Sequence, residues 1–156
     1  MKQGFDSNPQ IELLPDGRNA VLLADFHYTA ASGLTHTAKK GLVTDGGTIR
    51  RIFWRVAGSP FTGRARYAYL IHDQGCKDAL KLMDGGYPDT ARDMRRFFDL
   101  LFREMMEWLG CSRAEITIKY RMVRMGALFL KPNRPKTGAG ARDGLSEGTG
   151  NKEDAV

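Results

Sequence analysis

Four acidic and basic positions could do chemistry: Asp45, His72, Asp73 and Asp99. His72 and Asp73 are adjacent and close the apolar run Tyr67-Ala68-Tyr69-Leu70-Ile71. An imidazole and a carboxylate withdrawn from water each cost several kcal/mol unless paired, hydrogen-bonded or bound to a cation. Neighbours on a helix point about 100° apart, so the two need separate partners. Either His72 is a satisfied core histidine and Asp73 a capping or Arg-paired residue, or the doublet holds a divalent metal or moves protons. Cys76 follows His72 by four residues and shares its face if the helix continues through Gly75. No second clustered pair accompanies it, so a small buried apolar role is the simpler reading than zinc ligation. Asp45, in Thr44-Asp45-Gly46-Gly47, reads locally as a turn residue, and Asp99 as an i,i+4 partner of Arg95 or Arg103 on the polar face of a helix.

The elements that must position these residues predict an α+β fold, an N-terminal antiparallel β-meander packed against three or four C-terminal helices. Gln10 to Leu14 and Asn19 to Thr29 read as strands joined by the turn Pro15-Asp16-Gly17-Arg18, and Thr35 to Val43 as a further extended segment. Thr48 to Ala57 reads as a short helix or turn, and Ser59-Pro60 as the start of a helix reaching about Gln74. After the Asp84-Gly85-Gly86-Tyr87-Pro88 loop, Asp89 or Thr90 can cap a long helix to Leu109, ended by Gly110. Its stripe of Met94, Phe97, Phe98, Leu101, Phe102, Met105, Trp108 and Leu109 repeats at steps of three and four and predicts a core face. Ser112 with Glu115 forms a capping-box pattern opening a last helix to about Phe129. The expected organisation is one domain over residues 1–130 and a disordered Gly/Pro-rich tail over 131–156.

The 156 residues carry 24 Lys and Arg against 18 Asp and Glu, a formal charge of +6. The cations are scattered and interleaved with acids, which argues against specific nucleic-acid binding. No stretch approaches the roughly 18 apolar residues of a membrane span, the amino terminus is unlike a signal peptide, and two cysteines make no disulfide framework. The expected location is the cytoplasm, without membrane insertion.

The order Gly41-Leu42-Val43-Thr44-Asp45-Gly46-Gly47-Thr48-Ile49-Arg50-Arg51, His72-Asp73, Arg95 with Asp99 and Phe102 before Gly110, and Tyr120 with Val123 and Arg124 resembles the domain of unknown function 1353 family, found in bacteriophages and prophages. Departures are Thr48 for serine, Arg50 for proline, Phe98 for alanine, and Gln74-Gly75-Cys76 where the family has an aromatic soon after His-Asp. The resemblance singles out Asp45, His72, Asp73 and Asp99 as one recurring set, with Thr48, Arg51, Arg95 and Arg124 supporting it, and implies a bacterial host cell or a virion as the setting and other phage proteins as partners. It supplies no activity. The doublet with a later Asp is also similar to metal-dependent phosphohydrolases named for it, although those are all-helical and carry a further His on an earlier helix, whereas His27 and His36 fall in strands. Two functions follow as expectations. One is metal-dependent hydrolysis, with His72, Asp73 and Asp99 holding Zn, Mn or Mg and Asp45 as ligand or base. The other is a non-enzymatic assembly or virion component whose polar cluster is structural.

Overall fold

A computed structural model describes residues 2–16, 19–44 and 63–127. Among the described residues six short strands come first: β1 (Gly4–Phe5), β2 (Ile11–Leu13), β3 (Ala20–Leu22), β4 (Phe26–Thr29), β5 (Thr35–Ala38) and β6 (Val43–Thr44). Three helices follow among the described residues, α1 (Arg66–Asp84), α2 (Pro88–Trp108) and α3 (Arg113–Ala127). The fold is α+β, and among the described residues every strand pairing is antiparallel.

The strands form two three-stranded sheets, ordered β1-β4-β5 and β2-β3-β6, instead of one continuous meander. The hairpin expected around Asp16 joins β2 to β3, with Leu14 N–H donating to Asn19 O at 2.8 Å and Asn19 N–H to the Asp16 carboxylate at 2.9 Å. The run expected as one strand from Asn19 to Thr29 is two strands, broken at Leu23-Ala24-Asp25. Ala20, Leu22, Phe26 and Tyr28 are all buried, so both halves keep the inward alternation while the break transfers the chain between sheets. Asp25 fastens that crossing by accepting the Lys40 N–H at 2.8 Å. That backbone hydrogen bond, aided by Lys39, outweighs the opposing effect of burial and holds the Asp25 carboxyl below its usual range.

Helix α1 begins at Arg66, because a bend and turn over Gly63 to Ala65, with Gly63 at a φ of 83°, interrupt the helix expected from Ser59-Pro60, and it continues past Gln74 through Gly75 to Asp84; Ser59, Pro60 and the Thr48 to Ala57 element lie outside the described residues. It is buried almost continuously from Ala68 to Cys76 because it lies between the strands and α2. Gly75 permits the close crossing: a Cβ there would fall within the Phe98 ring of α2. Helix α2 begins earlier than the Asp89 or Thr90 cap, with Tyr87 at the N-cap and Pro88 in the first turn, where proline's fixed φ suits the helix and its missing N–H costs nothing. It ends as expected at Gly110, whose φ of 69° lets Gly110 and Cys111 donate back to Glu107 O and Met106 O at 3.1 and 3.0 Å. Ser112 Oγ then accepts the Glu115 N–H at 3.2 Å, opening α3.

The core gathers Leu22, Phe26, Tyr28, Tyr69, Ile71, Phe102, Met105 and Met106 from both halves of the chain. The α2 stripe is correct for Leu101, Phe102 and Met105, but Phe97 and Trp108 are each 45% exposed. The inward face is rotated toward Arg95, Asp99 and Met106, all buried. The expected tail and the end of the last helix lie outside the described residues.

Candidate functional site

Helix α1 presents His72 and Asp73 in the middle of its buried stretch, and α2 presents Arg95 and Asp99 one turn apart on the face that meets it. Asp99 is wholly buried, which corrects its placement on a polar helix face. His72 is also wholly buried, and its Nε2 lies 2.8 Å from Asp99 Oδ1. Arg95 Nε donates to the same oxygen at 3.2 Å, and Arg124 of α3 donates to Oδ2 at 3.1 Å. Arg95 also donates to the Val123 carbonyl at 3.3 Å, tying α2 to α3. One carboxylate therefore joins all three helices through three cationic donors.

Asp73 faces the strands. Thr44 Oγ1, at the end of β6, donates a hydrogen bond to Asp73 Oδ2, while Asp73 Oδ1 stands 4.0 Å from His72 Nδ1. Lys77, one turn further along α1, donates to the Val43 carbonyl. The adjacent doublet thus finds separate partners, Asp99 toward the helices and Thr44 toward the sheet. His72, Asp73, Asp99, Arg95 and Arg124 lie in one connected cluster; Asp45, Thr48 and Arg51 lie outside the described residues.

Charge in this cluster is strongly organised. Burial by itself would lower the His72 pKa, but the Cys76 sulfur, 3.5 Å from Nδ1, and the Asp99 hydrogen bond outweigh it and push the imidazole up to about 9. At neutral pH His72 is an imidazolium donor. Burial would likewise raise the Asp99 carboxyl, but the His72 hydrogen bond and charge, with Arg95 and Arg124, hold it below the usual range. This arrangement fixes an ion network; it does not leave a free base.

A divalent metal fits the described residues poorly. Imidazole binds metal when neutral, and a carboxylate already accepting from His72, Arg95 and Arg124 would have to give up cationic donors to accept a cation. Among the described residues no group of three His, Cys, Asp or Glu side chains is placed to hold a metal ion. His27 and His36 do not supply the missing helical histidine: His27 pairs across strands with Thr37 at 2.8 Å, and His36 packs against Phe97 and Phe98.

Sequence reasoning missed Thr44 as the partner of Asp73, although it stands in the Thr-Asp-Gly motif. It also missed Glu104, which accepts from Ala31 N–H at 2.9 Å, Tyr28 Oη at 3.0 Å and Gln3 Nε2 at 3.2 Å, fastening β4 and the residue before β1 to α2. No local pattern distinguishes Glu104 from the other charges of α2.

Residues 20–123 match the family described as "Protein of unknown function (DUF1353)". The chain belongs to that family. The matched span of this DUF1353 member contains Thr44, His72, Asp73, Arg95 and Asp99 of the cluster and ends at Val123, whose carbonyl Arg95 holds, one residue before Arg124. An uncharacterised protein of Sinorhizobium fredii, y4jT, is 32% identical over 77 residues, which cover 49% of this chain and 20% of that protein. The chain thus spans about one fifth of that relative's length. No solved structure matches. Among the described residues no helix is long and apolar enough to cross a membrane.

Proposed function

We propose that this DUF1353 protein is a non-enzymatic component, of the phage assembly or virion type implied by its resemblance, and that the His72-Asp73-Asp99 cluster is the internal fastening of its fold. The observation that carries this reading is Asp99: wholly buried, ionised, and accepting from one side chain of each helix. A catalytic carboxylate needs an open side toward substrate or metal, whereas this one is turned toward three protein cations. Asp73 and Thr44 extend the same fastening to the strands.

Metal-dependent hydrolysis is the second reading, favoured by the convergence of two carboxylates and an imidazole beside Thr44, the residue that precedes Asp45 in the chain. Elemental analysis of the purified protein, combined with melting of Asp73→Asn, separates the two. The structural reading expects no stoichiometric metal and a loss of roughly 1 to 3 kcal/mol for the variant. One equivalent of Zn or Mn, lost in Asp73→Asn with little change in stability, would overturn it in favour of the hydrolase.

A further inference from the structure

Beyond the buried cluster, residues of α2 and α3 line a half-open cavity of about 730 Å³. Its α2 wall carries Arg103 and Glu107, and its α3 wall carries Arg113, Ile116, Tyr120 and Arg121. On α3 these positions recur at intervals of three, four, seven and eight residues, so a single helical stripe lines the cavity. The volume lies within the usual range for small-molecule sites, about 300 to 1,000 Å³, and far exceeds what a single inorganic ion would fill.

The lining has an asymmetric charge. Arg103 is paired with Glu107 at 2.9 Å. The guanidinium groups of Arg113 and Arg121 form no ion pair among the described residues, leaving two cations without a protein counter-charge beside a third. Arginine is the side chain suited to phosphate, because its planar fork gives two parallel hydrogen bonds. Ile116 is buried and Tyr120 half-buried, so the floor between the arginines is apolar and aromatic. Guanidinium groups around an aromatic floor match an organic phosphate that carries a flat or apolar moiety.

We propose that this groove binds a small phosphorylated molecule of nucleotide size, with its phosphates on Arg113 and Arg121, Arg103 staying with Glu107, and its apolar part on Ile116 and Tyr120. The site is independent of the role assigned to Asp99: none of the three arginines contacts that carboxylate.

Calorimetric titration of the full chain with ADP, pyrophosphate and adenosine tests it. ADP should bind more tightly than either fragment and more weakly as salt is raised. Arg113→Gln and Arg121→Gln should each weaken ADP binding by about tenfold while leaving the melting temperature unchanged. Arg92→Gln, on an exposed first-turn pair with Asp89, should leave ADP binding unaffected. Absence of ADP binding, or equal affinity in the Arg113 and Arg121 variants, overturns the proposal. Adenosine binding as tightly as ADP removes the phosphate contacts from it, and pyrophosphate matching ADP removes Ile116 and Tyr120. A single-stranded oligonucleotide binding far more tightly than ADP, with the same arginine dependence, overturns it in favour of a nucleic-acid surface.

Discussion

Helix α2 carries the same local device twice. Arg95 pairs with Asp99 at 3.2 Å and, two turns later, Arg103 pairs with Glu107 at 2.9 Å, both at i,i+4. In sequence the two are equivalent. In the fold, Arg95 and Asp99 are buried against α1 and α3, while both members of the second pair are more than half exposed. An exposed pair of this kind contributes a few tenths of a kcal/mol, because water already solvates both charges. A buried pair is a different object: its desolvation is offset only while every partner is present, so removing one member strands the rest. Spacing specifies a pair, and burial decides what breaking it costs.

The largest expected effect follows at the buried end. Asp99→Asn leaves His72, Arg95 and Arg124 facing each other without their shared anion, and should destabilise the protein by about 3 to 5 kcal/mol in urea unfolding. A loss below 1 kcal/mol would make the two α2 pairs energetically alike and remove Asp99 from the centre of the fold.

The pH dependence of stability sharpens the same contrast. His72 has a folded pKa of about 9 against an unfolded value near 6.5. The resulting stability is fully present below pH 6.5 and is lost as pH rises through 9, an amount of about 3 kcal/mol. Asp99 acts in the opposite direction: its folded pKa is depressed, so its contribution is present above its unfolded pKa and lost as pH falls through the folded value. Unfolding free energies measured from pH 5 to 10 should fall on the alkaline side, and His72→Gln should flatten that fall. An unchanged alkaline limb in the variant would assign the loss to other groups.

Much of this organisation was legible in the sequence, and the reasons for the remainder are physical. The α+β order, the Asp16 hairpin, the Gly110 helix end and the Ser112 cap are set by local backbone chemistry that few contexts override. The pairing of His72 with Asp99 was accessible only through the recurring family set, since the two are 27 residues apart and on different helices. Reading Asp99 as a surface residue was the natural outcome of its i,i+4 arginines, because periodicity cannot see that another helix covers that face. The same limit explains Phe97 and Trp108, which fit the apolar stripe yet sit half exposed at its margins. Gly75 costs helix propensity, but its lack of a side chain is what lets Phe98 approach α1.

That close approach accompanies the full burial of His72 and Asp99, and Gly75→Ala tests the link. The added methyl would collide with the Phe98 ring, forcing the two helices apart, at a cost of about 1 to 3 kcal/mol despite alanine's better helix propensity. The double variant Gly75→Ala/Phe98→Leu should recover part of the loss. A stabilised Gly75→Ala single variant would show that the crossing has slack and that burial of the ion network does not depend on it.

The smallest effect belongs to the exposed pair. A double-mutant cycle of Arg103→Gln and Glu107→Gln isolates the energy between the two side chains from whatever each does alone. Both are more than half exposed, and an arginine four residues before its acid is the less favourable orientation relative to the helix dipole. The coupling should therefore be about 0.3 kcal/mol and decline further in 1 M salt, where charges more than about 3 Å apart are screened. A coupling above 1.5 kcal/mol that survives such salt would mean that Glu107 is held away from water by something bound in the groove or by a partner chain. The two halves of α2 would then differ in degree of burial only while the protein is alone.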